Sequence, residues 1–239
     1  MIGPDIKGIV FDAVGTLIHP QPAVADAYAA AARRQGVNLE RDEVKTRFLR
    51  HFGDDEVDDD PRGPLATSEA TEERRWRRIV SRVLPEVADQ GRAFAELWDH
   101  FGRSDSWRLD PDAAATIIAL RKAGLRIRIG SNFDGRLRGV LRGMPGLHLA
   151  DEPILISSEV GFRKPHPTFY EAACASLGLV PSRILWVGDD LENDYRGPLR
   201  AGFQAVLLGG EESQDDPTVR RVKKLREIRP NESSKRLTQ

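Results

Sequence analysis

The sequence predicts an α/β fold in which a doubly wound parallel sheet carries an inserted helical bundle. Short apolar stretches of strand length alternate with helical stretches over residues 1–19 and 109–210. Such alternation with short connections is typical of a parallel sheet that helices cover on both faces. Residues 20–108 instead repeat apolar side chains at three- and four-residue spacing, which indicates consecutive amphipathic helices. These patterns predict one core domain, 1–19 with 109–210, that a helical insertion of residues 20–108 interrupts after its first strand.

The elements of the core follow from apolar runs and from helix-terminating glycines. Helices are predicted at 110–123, which opens on the Asp-Pro pair typical of a helix N-terminus, and at 167–177. Residues 125–129, LRIRI, fit this scheme poorly, because arginines alternate with apolar residues in a strand that should be apolar on both faces. The predicted strands are 6–11, 125–130, 153–157, 184–188 and 204–208.

The insertion is predicted to be a small bundle with apolar inner stripes. Helices are expected at 23–34 and 40–52, each followed by a glycine that favours helix termination. We expect the tryptophans and phenylalanines of the insertion to belong mainly to its core. Two further stripes contain Trp76, Ile79, Val80, Val83 and Leu84, and then Phe94, Leu97, Trp98 and Phe101.

Two polar segments are assigned no chemistry. Residues 54–60, DDEVDDD, lack the regularly spaced ligands and turn glycine of a calcium loop, so we interpret them as a solvated loop. Residues 211–239 form a polar C-terminal segment in which a short helix near 219–228 precedes a frayed tail.

Composition excludes several classes of function. The 239 residues carry 36 basic and 37 acidic side chains, so the net charge of −1 gives no bias towards nucleic acid or anionic membranes. No apolar run approaches the roughly 20 residues of a membrane span, and the N-terminus does not resemble a signal peptide. The single cysteine, Cys174, excludes an intrachain disulfide and fits a reducing compartment. We therefore expect a cytoplasmic protein with no membrane or nucleic-acid partner; its oligomeric state is not readable from the sequence.

Polar side chains follow several predicted strands at the point where each strand ends. Asp12 ends the first strand, Ser131 follows the second, and Lys164 lies just before a predicted helix. Asp189 follows the strand at 184–188, with Asp194 five residues later. Because the carboxyl ends of parallel strands meet at one edge of a sheet, we expect these groups to converge there.

This set of residue types suits phosphoryl transfer. Two strand-end carboxylates form a hard-oxygen site of the kind that Mg²⁺ prefers, together with water and substrate phosphate. A carboxylate can also act as the nucleophile and form an aspartyl-phosphate. A hydroxyl, a lysine and backbone N–H groups can then balance the charge on the transferring oxygens.

The same residues resemble the motifs of the haloacid dehalogenase-like hydrolase superfamily, in that superfamily's order along the chain. The resemblance implies a Rossmann-like core and makes the insertion similar to a C1-type helical cap. The strings WRLDP, SNFD and DYRGP are also similar to an uncharacterised subgroup known only as domain-containing hydrolases, which brings no substrate with it. The matching positions are Asp12 and Thr16 (D-x-x-x-T), Ser131, Lys164-Pro165, and Gly188, Asp189 and Asp194 (G-D-x-x-x-x-D).

The resemblance implies a Mg²⁺-dependent hydrolase that acts on a small phosphorylated substrate. Asp12 would be the nucleophile, and Thr16 would brace its loop. Ser131 and the N–H of Asn132 would bind the phosphoryl oxygens, assisted by Lys164. The implied metal ligands are Asp12, the backbone carbonyl of Val14, Asp189, and either Asp194 or Asp190.

Val14 departs from the motif of the superfamily's phosphatases, which carry a second aspartate two residues after the nucleophile. That aspartate protonates the leaving group and then activates water, and Val14 can do neither. Loss of general acid–base catalysis typically costs about 10²–10⁴-fold in rate. We therefore expect weak or unusual phosphatase activity, in which esters with acidic leaving groups suffer least.

Three alternatives follow from the same substitution. The chain could be a non-catalytic module that keeps the metal and phosphate site. It could be a 2-haloacid dehalogenase, although the intact Gly188-Asp189 pair and Asp194 argue against a branch that uses no Mg²⁺. Phosphonate hydrolases of the superfamily use a cap lysine, and Lys45 is the sole lysine of the insertion; it lies on a polar helix face, where we expect it to be solvated.

Overall fold

The computed structural model describes residues 2–54, 62–144, 146, 153–209 and 218–230. In chain order its strands are β1 (Gly8–Phe11), β2 (Ile18–Pro20), β3 (Trp107–Leu109), β4 (Arg126–Ser131), β5 (Ile154–Ile156), β6 (Ile184–Gly188), β7 (Gln204–Leu208) and β8 (Arg221–Val222). Its α-helices are α1 (Val24–Arg33), α2 (Arg41–Asp54), α3 (Glu69–Val83), α4 (Gln90–Gly102), α5 (Ala113–Lys122), α6 (Arg136–Arg142), α7 (Ser157–Val160), α8 (Pro167–Leu177) and α9 (Gly197–Arg200). A π-helix, Leu191–Arg196, directly precedes α9.

The main sheet of the described residues is parallel throughout and has the order β5-β4-β1-β6-β7-β8. From the central β1 the chain runs outward through β4 and β5 on one side, then through β6, β7 and β8 on the other. This is a doubly wound, Rossmann-like α/β fold, as the sequence predicted. Because the strands are parallel, their carboxyl ends lie at one edge of the sheet.

Both faces of the sheet are buried, which explains the continuous apolar runs of its central strands. Ile9 and Phe11 of β1 pack on one face in a cluster that includes residues of α5 and α6. Val10 packs on the opposite face with Trp186 of β6 and Phe169 of α8. This alternation at a period of two residues keeps the ends of β1 and β6 rigidly placed.

The two arginines of β4 bind the C-terminal end of α8. The side chain of Arg126 donates to the carbonyl of Leu177 at 2.6 Å. Arg128 donates to the carbonyl and the hydroxyl of Ser176, both at 2.8 Å. Helix C-termini leave carbonyls without partners inside the helix and favour nearby positive charge. Because β5 pairs with residues 129–131 of β4, the first half of β4 lies at the edge of the sheet. Polar side chains there can reach solvent.

The insertion enters and leaves the core through an antiparallel ribbon formed by β2 and β3. Helices α1 to α4 follow β2, and their inner faces form a separate apolar cluster, so the predicted helical stripes are confirmed. The predicted boundaries, 19/20 and 108/109, fall within this ribbon. The assignment of 20–108 as a cap domain distinct from 1–19 and 109–210 stays a prediction.

Several other expectations differ from the structure or fall outside it. The helix expected near 219–228 is wrong: β8 pairs there with β7, and residues 225–227 form a 3-10 turn. The helix predicted at 110–123 begins only at Ala113. Before it lies a turn in which Asp110 accepts the N–H of Asp112 with its carboxylate and the N–H of Ala113 with its backbone carbonyl. Most of the acidic segment 54–60 and of the polar tail lies outside the described residues. Within them, no helix is long and apolar enough to cross a membrane.

Candidate active site

A buried lysine joins two of the predicted carboxylates at the carboxyl edge of the sheet. Asp12 directly follows β1, and its N–H donates to the carbonyl of Val187 in β6 at 2.8 Å. The Lys164 ammonium lies 2.7 Å from an oxygen of Asp12 and 2.7 Å from an oxygen of Asp194. It also donates to the carbonyl of Gly130 at 3.0 Å. Groups that are 30 to 152 residues apart in the sequence therefore meet at this lysine.

A third carboxylate, Asp189, completes an acidic cluster. Asp189 follows β6, and Thr16 donates its hydroxyl hydrogen to this carboxylate at 3.0 Å. One oxygen from each of Asp12, Asp189 and Asp194 lies within 4.8 Å of the other two. The prediction that Asp12 and Asp189 approach each other is thus met by the geometry.

The donor set of this cluster fits a divalent cation. Oxygens on opposite sides of an octahedral Mg²⁺ are about 4 Å apart, which is close to the spacing seen here. Three carboxylates provide hard oxygen ligands, and Asp189 faces the open side of the cluster, where water and substrate can reach it. A divalent metal can therefore be held here; the assignment of Mg²⁺ is taken up below.

Burial disfavours the charged forms of the carboxylates in this cluster. Burial raises the pKa of Asp12 well above its ordinary value; the Lys164 charge opposes this rise, and the neighbouring carboxylates add to it. Burial, together with the charge of Asp194, raises the pKa of Asp189 to about 6. Burial alone would lower the pKa of Lys164, but the charges of Asp12 and Asp194 outweigh it and raise that pKa. A further positive charge beside these carboxylates would relieve their mutual repulsion.

Two glycines allow the carboxylates to approach, and sequence reasoning missed the role of both. Gly15 has φ +91°, and a Cβ there would lie 2.2 Å from an oxygen of Asp189. A Cβ on Gly188 would lie 2.3 Å from Cγ of Asp194. The signal that could have identified them was a glycine close to each strand-end aspartate, Gly15 in the turn after Asp12 and Gly188 directly before Asp189.

The remaining predicted residues surround this centre. Ser131 ends β4 and is buried. The Asn132 side chain forms two hydrogen bonds with the backbone of Lys164, donating to its carbonyl at 3.0 Å and accepting from its N–H at 2.7 Å. Asn132 therefore fixes residues 161–166, the loop before α8 that contains Lys164 and is called the lysine loop below. The sequence did not suggest this contact. Asp190 accepts the N–H groups of residues 192 and 193 and so caps the π-helix, and Val14 lies beside the cavity described next. The catalytic and ligand roles of all these residues stay predictions.

A cavity of about 530 Å³ opens between the acidic cluster and the insertion. The polar residues of its floor belong to the strand ends, whereas much of its wall is aromatic and comes from the insertion. The expectation that these aromatic residues serve the core is met only in part, because several also face the cavity. Aromatic residues of the wall include Tyr28, Phe52, Trp76, Phe94, Trp98 and Trp107.

Arginines tie this wall to the core. Arg75 of α3 is buried, lies over the rings of Phe52 and Trp76, and is 3.9 Å from the buried carboxylate of Glu72. Glu72 also lies 3.8 Å from Arg163, the neighbour of Lys164 in the sequence. Glu72 and Arg163 were not among the predicted site residues. Arg75 is one of four helical arginines, with Arg33, Arg74 and Arg77, that the sequence offers for an anionic part of the substrate; we expect these to be solvated, but Arg75 is buried. Lys45, by contrast, is exposed on α2, as expected.

Comparison with known proteins agrees with the fold. The model of the haloacid dehalogenase-like hydrolase family matches residues 6–202. Human haloacid dehalogenase-like hydrolase domain-containing protein 3 is 29% identical over 90% of this chain and 86% of its own. A phosphoserine phosphatase of Thermus thermophilus is 30% identical over 63% of this chain and 62% of its own. A crystal structure of a dehalogenase is 21% identical, with a TM-score of 0.70 over 95% of this chain and 97% of the other.

A parallel sheet with three carboxylates and a buried lysine at its carboxyl edge is a fold and a residue set that suit a hydrolase. The chain belongs to the haloacid dehalogenase-like hydrolase family, whose model covers most of its length. The likeness to the dehalogenase, at 21% identity, concerns the fold alone.

Proposed function

We propose that the protein is a Mg²⁺-dependent phosphatase that hydrolyses a small phosphate ester through a phosphoryl intermediate on Asp12. The observation that carries this proposal is the cluster of Asp12, Asp189 and Asp194, with oxygens within 4.8 Å and Lys164 between two of them. The likeness to a phosphoserine phosphatase supports a phosphorylated substrate.

Asp12 is the nucleophile in this proposal. Lys164 holds one oxygen of its carboxylate at 2.7 Å, which fixes the orientation of the group at the end of β1. The carboxylate attacks phosphorus, and the bond from phosphorus to the leaving oxygen breaks. Water then cleaves the aspartyl-phosphate and releases inorganic phosphate, which restores the carboxylate.

The neighbouring residues balance the charge of the phosphoryl group. The Ser131 hydroxyl and the N–H of Asn132 lie at the end of β4, where they can donate to phosphoryl oxygens. Asp12, Asp189, Asp194 and the Val14 carbonyl would hold Mg²⁺, which would supply positive charge that lets a phosphate dianion approach a carboxylate. The side chains of Thr16 and Asn132 keep Asp189 and Lys164 in place.

Val14 limits the turnover of this site. Its side chain cannot give a proton to the leaving oxygen or take one from water, so both half-reactions lose general acid–base help, typically about 10²–10⁴-fold. We infer a slow phosphatase, and the same residue leaves open a module that binds phosphate and metal without turnover.

The test is hydrolysis of p-nitrophenyl phosphate with and without Mg²⁺. We expect Mg²⁺-dependent release of nitrophenol that is lost in Asp12→Asn and kept in Asp99→Asn, a control at an exposed position of α4. Val14→Asp should raise the rate about 10-fold or more, because it supplies a carboxyl group where the general acid acts. Background activity in both the wild type and Val14→Asp, with Mg²⁺ binding intact, would instead favour the binding module.

Dehalogenation is tested in the same preparation. Halide release from 2-haloacids in the absence of Mg²⁺, combined with no phosphate release from esters, would replace the phosphatase proposal. We expect no halide release, because the intact acidic cluster serves a metal that dehalogenation does not require.

A further inference from the structure

The wall of the cavity suits a flat apolar group. Trp76 packs on Phe52 with ring centroids 5.9 Å apart, and Phe94 packs on Trp98 at 5.4 Å. The volume of about 530 Å³ lies within the range of small-molecule sites and leaves room for a ring beyond the phosphoryl group. An aromatic ring placed here gains offset or edge-to-face contacts with several side chains.

Most polar side chains of the cavity lie at its floor. Asp12, Asp189, Asp194 and Lys164 lie there, at the reacting end. Arg136, which lies over the ring of Trp98, already donates to Asp134 and to the carbonyl of Trp98. On the wall, the charge of Arg75 lies over two rings, 4.9 Å from the centroid of Phe52 and 5.5 Å from that of Trp76. A hydroxyl-rich leaving group would lose its water against such a wall with few partners to replace it, which disfavours a sugar.

The residues at the floor of the same cavity determine whether the leaving group can receive a proton. Val14 lines the cavity and packs against the apolar core. Among the described residues that line the cavity there is no histidine, and the four carboxylates belong to the acidic cluster or, in Asp190, cap the π-helix. A leaving group must therefore depart without a dedicated proton donor.

From the aromatic wall and the apolar Val14 together, we propose that the substrate is an aryl phosphate, the phosphate ester of a phenol. This inference rests on the proposed phosphatase function and names its substrate class. A phenol has a pKa of about 10, whereas water, which an aliphatic alcohol resembles, has one of about 15.7. A phenolate therefore leaves readily without protonation, and its ring fits the wall that an aliphatic polar group does not.

The reaction balances without any further reactant. The carboxylate of Asp12 forms a bond to phosphorus, and the phenolate leaves with the electron pair of the broken phosphorus–oxygen bond. The phenolate takes a proton from solvent. Water then cleaves the aspartyl-phosphate, so that the aryl phosphate and one water give a phenol and inorganic phosphate.

Three esters of similar size separate leaving-group acidity from shape. Phenyl phosphate has an aromatic ring and an acidic leaving group, benzyl phosphate has the ring without the acidity, and cyclohexyl phosphate has neither. We expect kcat/KM for phenyl phosphate to exceed both others by about 100-fold or more, given the usual contribution of a general acid. Val14→Asp should raise the rates on benzyl and cyclohexyl phosphate at least 10-fold more than the rate on phenyl phosphate.

The wall is tested with Trp76→Ala, using acetyl phosphate as a substrate that has no ring. KM for 1-naphthyl phosphate should rise about 10-fold in this variant and return towards the wild-type value in Trp76→Phe. The ratio of kcat/KM for 1-naphthyl phosphate to that for acetyl phosphate should fall about 10-fold, a selective loss that misfolding would not produce because it lowers both rates alike.

Equal kcat/KM for phenyl and cyclohexyl phosphate, or an unchanged KM for naphthyl phosphate in Trp76→Ala, would overturn the aryl phosphate assignment. In either case Asp12-dependent hydrolysis of acetyl phosphate would leave the phosphatase function standing. No hydrolysis of any of these compounds would overturn both.

Discussion

Gly15 sets the distance between the Asp12 loop and the strand end that carries Asp189. Its φ of +91° lies where side chains are disfavoured, and a Cβ would meet both oxygens of Asp189 within 2.7 Å. Gly124 has a similar φ of +81° but has open space around it. The two glycines share a backbone requirement, and only Gly15 has a carboxylate beside it.

Replacement of Gly15 by alanine should therefore disable the site, whereas the same change at Gly124 should not. Both variants should lose about 1–3 kcal/mol of unfolding free energy from backbone strain. Only Gly15→Ala should also lose Mg²⁺ binding and p-nitrophenyl phosphate hydrolysis, because Asp189 must move. Calorimetric Mg²⁺ titration and thermal unfolding measure the two effects. Equal Mg²⁺ affinity in the two variants would contradict the role of Gly15.

The sequence indicates the charged residues of the site better than the hydrogen bonds that hold them in place. Asp12, Asp189 and Asp194 could be selected because they follow predicted strands, and Lys164 because it lies just before a predicted helix. The paired hydrogen bonds of Asn132 with the lysine loop could not, since they join segments 32 residues apart. Such contacts depend on how loops pack, which local patterns do not specify.

Strand β4 and helix α8 hold each other through the arginines of β4. Arg128 donates to both the carbonyl and the hydroxyl of Ser176, at the last turn of α8. Because the lysine loop directly precedes α8, this contact bears on the site as well as on stability.

Substitution Arg128→Ala should lower the free energy of unfolding by about 1–3 kcal/mol, since hydrogen bonds to a charged donor are lost and helix carbonyls lose a cation. Arg50→Ala removes an arginine at an exposed position of α2 and should change stability by less than about 0.5 kcal/mol. Urea denaturation of both variants measures the difference. Equal midpoints would show that β4 does not depend on these bonds.

Elements with strong local signals were predicted well, and those formed by pairing were not. The strands at 184–188 and 204–208 and the helix at 167–177 have the predicted bounds, because apolar runs and a terminal glycine define them. The C-terminal helix was wrong because Arg221–Val222 pairs with β7, and sequence periodicity cannot predict a strand of two residues.

Across the whole molecule, polar bonds beside the cavity join the insertion to loops and helices of the core. Glu69, at the start of α3, accepts the N–H of Gly135 at 2.9 Å and the hydroxyl of Ser158. The guanidinium of Arg136 lies over the ring of Trp98 and is held by Asp134. Backbone hydrogen bonds of residues 65–67 with residues 161–163 add to these contacts and hold the insertion against the core.

Loss of the Glu69 carboxylate should loosen this contact. In Glu69→Ala, hydrogen exchange of the peptide that contains Gly135 should become several-fold faster, because its N–H loses an acceptor. Glu73→Ala, on the same helix and paired only locally with Arg77, is the matched control. Mass spectrometry of exchanged peptides reads both variants. Unaltered exchange around residue 135 would place the contact between insertion and sheet elsewhere.

The ammonium of Lys164, which lies between Asp12 and Asp194, bears on whether the protein needs a metal to fold. Both carboxylates already have a resident counter-ion, so the architecture does not wait for a metal in order to assemble. Under the proposed function, depletion of divalent ions should therefore stop hydrolysis reversibly and leave the protein folded.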